Sequence, residues 1–240
     1  MHISSFQLDV SEAPEVYGAS RYMEPHTSTT RFFGTLKVDP EEDLDVSGSY
    51  RDWNEDTLNK ITEYTVNGKY HMGGFEGTAS YEWYSKFDNA IIGFGLGYND
   101  GLYHHITYGF NFHQLEFGTF VGFYHQYMHI QYRGSTCSGI KSCTSSSSLN
   151  EDKNTIETSL FWGMYAGFFF GNFFLNYSLS AYTPGLDTED ENVHTPIITS
   201  NYITLGFHIN KHIAISAGAI GSDVSSQWHW GGSLGIAYYP

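Results

Sequence analysis

"FWGMYAGFFFGNFFLNYSLSAY", residues Phe161–Tyr182, contains no charged side chain. A stretch of that length can cross a bilayer as a single helix. Its residue types point elsewhere. Aromatics dominate it, with Gly163, Gly167 and Gly171 between them, where a membrane helix draws on Leu, Ile, Val and Ala. Read with period two, one set of positions is Ile156, Thr158, Leu160, Trp162, Met164, Ala166, Phe168 and Phe170. The other is Thr155, Glu157, Ser159, Phe161, Gly163, Tyr165, Gly167 and Phe169. The first set is almost wholly apolar; the second is small, polar or aromatic. Gly171-Asn172 is a tight-turn signal. Beyond it Phe173, Leu175, Tyr177, Leu179 and Ala181 alternate with Phe174, Asn176, Ser178, Ser180 and Tyr182. The spacing predicts two strands joined by a hairpin turn, not a helix.

The pattern recurs along the chain. Ala90, Ile92, Phe94, Leu96 and Tyr98, then Leu102, Ile106, Tyr108, Phe110 and Phe112, form an apolar face. Opposite them lie Asn89, Gly93, Gly95 and Gly97, then His105, Thr107, Gly109, Asn111 and His113. Ile203, Leu205, Phe207 and Ile209, then Ile213, Ile215, Ala217 and Ala219, repeat the arrangement, with Thr204, Gly206, His208 and Ser216 opposite. Trp228, Trp230, Leu234, Ile236 and Tyr238 close the chain on one side.

Composition decides which face meets what. The chain has 240 residues, is 18% aromatic and contains 26 Gly but only 11 Lys and Arg, with a formal net charge of −15. Such an acidic balance without a basic stripe excludes a nucleic-acid partner. A soluble barrel or sandwich turns its apolar face inward and carries long charged side chains outside. Here the face opposite the apolar one is Gly, Ser, Thr, Asn and His, which suits the lining of a narrow barrel. The apolar face is then expected to meet lipid, with Tyr and Trp near strand ends at the two interfaces. Closure removes the strand edges that hydrocarbon would not tolerate.

In this pattern, from Arg31 to Tyr239, the chain resembles the bacterial outer-membrane β-barrel class, and "GIAYYP" resembles the aromatic-ended last strand of such barrels, apart from Pro240. The resemblance implies an all-β, closed, antiparallel up-and-down transmembrane barrel. It also implies export to the bacterial outer membrane, surrounding lipid and lipopolysaccharide, and a monomer. "MHISSFQLDVSEAPEV" has no basic segment followed by an apolar core. Export is therefore expected to depend on a leader absent from these residues, in a mature form with an added Met or a truncated chain.

The strand count is expected to be about twelve, with Val16–Met23 as the added first strand; ten is the alternative. Residues 1–30 are read as an N-terminal arm or first strand and 31–240 as the barrel. Surface loops are expected near 53–71, 134–153 and 184–198. Short turns at 113–115, 171–172 and 210–211 suit the periplasmic side. Cys137 and Cys143, close together in a Ser- and Gly-rich stretch, suit a small disulfide.

The expected lumen residues are Glu76, Glu82, His105, Thr107, Asn111, His113, Asn176, His208 and His229. Glu76 and Glu82 either bias a pore toward cations or pair with Arg31 and Lys37 on a neighbouring strand. His105, Glu157 and Ser159 are the residue types a rim hydrolase needs, but no motif ties them together. Asp187, Glu189, Asp190 and Glu191 are carboxylates of the kind that take Ca²⁺ or Mg²⁺, without the Gly and spacing of an EF-hand. No cofactor is implied. The function expected is a narrow, porin-like passive channel for small solutes or ions, with a polar, cation-leaning lumen. The alternatives are a closed structural or adhesive barrel, plugged by Phe33, Phe161, Tyr165, Phe169 and Tyr202 and binding partners through its loops, and a lipid- or peptide-hydrolysing enzyme.

Overall fold

The computed structural model describes residues 2–53, 61–138, 145–184, 186–188 and 191–240. Side chains are described at 5–49, 65–131, 133, 150, 152–184 and 195–240. Among the described residues all regular structure is strand: β1 (His2–Asp9), β2 (Ser28–Trp53), β3 (Ile61–Phe87), β4 (Ala90–Tyr98), β5 (Gly101–Asn111), β6 (Leu115–Ser138), β7 (Ser145–Phe170), β8 (Phe173–Tyr182), β9 (Leu186–Thr188), β10 (Glu191–His194), β11 (Ile198–His208), β12 (Ile213–Val224) and β13 (Gln227–Tyr238). No helix among the described residues is long and apolar enough to cross a membrane.

The Phe161–Tyr182 stretch folds as its alternation requires. β7 and β8 pair antiparallel from Phe161 opposite Tyr182 down to Phe170 opposite Phe173. Gly171 supplies the left-handed turn residue, at φ 61°. Trp162, Met164, Phe168 and Phe170 face outward and Phe161, Tyr165 and Phe169 face in.

The same meander runs β2-β3-β4-β5-β6-β7-β8-β11-β12-β13, and β13 pairs back onto β2, so the sheet closes. The ring has ten strands among the described residues, not twelve. Two causes account for the difference. Residues 31–39 and 44–52 read as separate strands because Asp39-Pro40-Glu41-Glu42 looks like a turn. They belong to one strand, β2, which carries a bulge between Asp39 and Glu42. A bulge accommodates Pro40 without breaking the ladder. Val16–Met23, the proposed extra strand, is no member of the ring and forms no strand.

The outer face is apolar on every wall. Phe94, Leu96, Ile106, Val121, Leu160, Met164, Leu175, Leu205, Ile215, Leu234 and Ile236 are all exposed. A patch this continuous has no place on a soluble monomer. With a closed ladder behind it, it is the lipid belt of a transmembrane barrel. Inside, glycine makes room for rings. A Cβ on Gly95 would fall on the His105 ring and one on Gly97 on the Tyr103 ring.

The two ends differ. β2–β3, β6–β7 and β8–β11 connect across the end that carries the long hairpins, while β3–β4, β5–β6, β7–β8 and β11–β12 connect by short turns at the other. Residues 61–71, 134–138 and 145–153, expected as loops, extend β3, β6 and β7 as strand. The β4–β5 hairpin stays short, turning at Asn99-Asp100. Above it β1 fills the gap, parallel to β3 (Phe6 opposite Gly68) and antiparallel to β6 (Phe6 opposite Tyr132). Within the 184–198 stretch, β9 and β10 pair with each other and β10 pairs with the top of β2. Cys143 and the Cys137 side chain lie outside the described residues, as do Glu189, Asp190 and the side chains of Asp187 and Glu191.

Candidate functional site: the filled lumen

From β1 the chain turns into the barrel and descends to the short-turn end before β2 begins at Ser28. Residues 10–20 are buried without exception. An extended segment in a dry bore brings a row of backbone N–H and C=O groups that no ladder satisfies, each costing about 1–3 kcal/mol if left alone. The wall satisfies them with side chains, in order of descent. The Tyr182 hydroxyl donates to Ser11 O (2.7 Å), and the Asn99 amide to Glu12 O (3.1 Å). Ser200 accepts from Ala13 N (3.0 Å), and Ser180 donates to Pro14 O (2.6 Å). The Tyr84 hydroxyl donates to Tyr17 O (2.7 Å). Glu116 accepts from Ala19 N (2.7 Å) and Ser20 N (3.3 Å). Asn111 accepts from Met23 N (3.0 Å) and donates to Arg21 O (2.9 Å), while Lys86 donates to Met23 O (2.6 Å). Ser, Asn and Tyr of the lining, with Glu116 and Lys86, therefore serve this segment's backbone. Beside it, among Tyr17, Arg31, Phe33, Asn176 and Thr204, the cavity volume is about 10 Å³, the space of one water molecule.

Two buried cations of the bore meet carboxylates at different depths. Arg31 forks onto Glu82 and also reaches the Ser20 hydroxyl. Lys37, wholly buried, lies 4.0 Å from Glu12 and donates to Asn99 (3.1 Å) and Tyr202 (3.3 Å). In the ladder Lys37 stands opposite Glu76, and Arg31 opposite Glu82. Pairing with the neighbouring strand thus describes Glu82. The Glu76 carboxylate keeps one buried oxygen without a partner. Outside the bilayer, His71 hydrogen-bonds Asp43 (2.9 Å), which with the Lys69 charge holds that carboxyl below the usual carboxylate range.

The other sequence candidates are distributed as follows. Thr107, Asn111 and Asn176 are buried on the inner face, and Asn176 donates to Ser20 (2.8 Å). His208 is half-buried, with Nε2 3.2 Å from Ser20 O. His113 is not a lining residue: it sits exposed in the β5–β6 turn against the Tyr22 ring. His105 is buried among Tyr103, Phe120 and Phe161, with neither ring nitrogen hydrogen-bonded. Ser159 donates to Thr183 O (2.8 Å). Glu157 stands opposite Gln126 in the ladder. No described hydrogen bond joins these three into a catalytic unit. Phe161, Tyr165, Phe169 and Tyr202 are buried and Phe33 half-buried, so the expected aromatic filling is present, but the N-terminal segment fills the bore with them.

Sequence patterning missed that segment and its acidic members Glu12 and Glu15, as well as Glu116. One signal was available: Arg31, Lys37 and Lys86 occupy inner-face positions and need counter-charges or carbonyls inside.

No family model matches the chain, and no curated protein matches it. Solved structures of similar overall shape include the outer membrane protease OmpT of Escherichia coli, at 8% identity over 88% of this chain and 97% of that one, TM-score 0.42. An outer membrane channel from Pseudomonas putida F1 is similar at 8% identity over 95% of this chain and 100% of that one, TM-score 0.42. The outer membrane protein OprG of Pseudomonas aeruginosa is similar at 8% identity over 92% and 98%, TM-score 0.29.

Proposed function

We propose that the protein is a monomeric barrel of the bacterial outer membrane, bounded by lipid and lipopolysaccharide, that is closed by its own N-terminal segment. In this reading it acts through the strand-built platform at its long-hairpin end, where it binds a partner. The observation that carries the reading is the continuous burial of residues 10–20 inside the ring, with wall side chains satisfying their backbone. The extension of β2, β3, β6 and β7 beyond the lipid belt, with β1 knitted between β3 and β6, supports the platform.

A second reading, a gated channel, draws on a different observation. Between Val10 and Thr27 the segment belongs to no strand, and from Ser11 to Met23 it is held to the wall by side-chain hydrogen bonds rather than by a ladder. Its withdrawal would uncover a wall rich in Gly, Ser and Thr. Conductance of the refolded whole chain in a planar bilayer separates the two. The closed-barrel reading expects no steady current at any moderate voltage. Steady current would overturn it, and current in bursts that a cross-link between the segment and the wall abolishes would favour the gate.

A further inference from the structure

Near the long-hairpin end of the bore, three buried side chains from three elements converge: Glu12 of the lumen segment, Asp39 of β2 and His229 of β13. One donor atom from each lies within 4.8 Å of the others. Their exposures are 1%, 5% and 1%, and Glu12 Oε1, both Asp39 oxygens and His229 Nε2 have no hydrogen-bond partner outside the cluster. Buried polar atoms left without partners beside such a cluster are costly unless something occupies it.

The surroundings prepare those atoms as ligands. His229 Nδ1 lies 3.5 Å from the Glu42 carboxylate, which favours the ring proton on Nδ1 and leaves the unpartnered Nε2 free to act as a ligand. A carboxylate behind a histidine is the usual outer partner of a metal-bound imidazole. The bulge between Asp39 and Glu42 lies between these two carboxylates. Gly231 leaves space for one of them: a Cβ there would fall 1.1 Å from Asp39 Oδ1. Lys37 offsets one charge at 4.0 Å from Glu12 but is engaged with Asn99 and Tyr202, and the half-buried Glu76 adds a further carboxylate that interacts electrostatically with Glu12 and Asp39.

We propose that Glu12, Asp39 and His229 bind a zinc-type divalent cation that ties the lumen segment to the barrel wall. One imidazole and two carboxylates suit a first-row ion such as Zn²⁺ better than Ca²⁺, which takes six to eight oxygens. Metal bonds of about 2.0–2.2 Å bring tetrahedral donors to about 3.4 Å of one another, so donors now within 4.8 Å of one another close by at most about 1.4 Å on binding. The site stands whether the barrel is a platform or a gate.

The test uses the refolded whole chain in detergent, stripped with chelator and dialysed against zinc. Metal content should fall by one zinc per chain in Asp39→Asn and in His229→Gln. It should be unchanged by that cause in His129→Gln, which alters an exposed His–Asp pair. Cobalt(II) on the wild-type barrel should give a visible ligand-field band that one equivalent of zinc removes. Because that measurement needs no variant, it decides the matter even if the substitutions prevent folding. Equal zinc in wild type and the folded variants, or no cobalt band on the folded wild type, would overturn the site and leave Glu12 and Asp39 sharing a proton instead.

Discussion

Arg31 on β2 and Glu82 on β3 face each other across the ladder and form an ion pair inside the barrel, at 2% and 1% exposure. The pair holds more than itself, since Arg31 also donates to the Ser20 hydroxyl at 2.5 Å, and the Tyr84 hydroxyl lies 3.0 Å from the Glu82 carboxylate, which competes with Tyr17 O for its one proton. Removing one partner of a buried pair strands the other and costs about 3–5 kcal/mol. Glu82→Gln should therefore lower the unfolding free energy of the refolded barrel by about 3 kcal/mol, whereas Arg31→Met with Glu82→Leu should recover much of the loss. Urea titration followed by tryptophan fluorescence measures both. A loss under about 1 kcal/mol for the single variant would show that water reaches the pair.

The lipid belt gives a depth-dependent prediction. Leu205 lies outward near the middle of β11, and Ile209 lies just past its short-turn end. Leu205→Arg should cost about 2–4 kcal/mol of stability in a bilayer and Ile209→Arg at most about 1 kcal/mol. Equal costs at the two positions, measured by reversible unfolding from lipid vesicles, would contradict the assignment of the bilayer to this span.

Period-two alternation made the barrel legible because one face had to satisfy hydrocarbon and the other a crowded bore. Trp162 against Phe161 and Leu205 against Thr204 state that division residue by residue. The lumen segment was not legible by the same rule. "SEAPEVYGAS" has no period, since an extended chain surrounded by wall on every side buries each residue in turn. Its partners are far off in sequence, Ala13 with Ser200 and Ala19 with Glu116. Its trace lay in the wall instead, in the cations Arg31, Lys37 and Lys86 placed where a simple lining needs none. Pro40 misled in the opposite direction, reading as a turn at what is a bulge in one long strand.

Glu116 anchors the lower part of the segment through Ala19 N and Ser20 N. Gly18 lets that carboxylate approach, because a Cβ there would lie 1.8 Å from Glu116 Oε1. Glu116→Ala leaves two buried N–H groups without acceptors, at about 1–3 kcal/mol each. Amide hydrogen exchange should then quicken at Ala19 and Ser20 while Ala13, bonded to Ser200, stays protected. Uniform loss of protection from Ala13 to Met23 would mean that the segment leaves as one unit, which would strengthen the gated reading.

β1 makes one close side-chain fit besides its ladders to β3 and β6. The Phe6 ring lies flat over Gly68, where an added Cβ would come within 2.3–2.5 Å of three ring atoms. Phe6 and Leu8 are buried with Val66, Tyr70 and Ile130 in one cluster. Gly68→Val should therefore lift Phe6 off β3 without touching the lipid belt, and Phe6→Ala should empty the same place at about 3–5 kcal/mol of local stability. Both variants should retain the heat-modifiable gel mobility of a folded barrel, because the closed ring below β1 keeps its own ladder. Both should speed exchange of the β6 amides from Ile130 to Arg133, which β1 covers, and leave those of Val121 and Phe123 unchanged. If the barrel fails to fold in either variant, β1 is part of the folding core rather than a strand added above a finished ring.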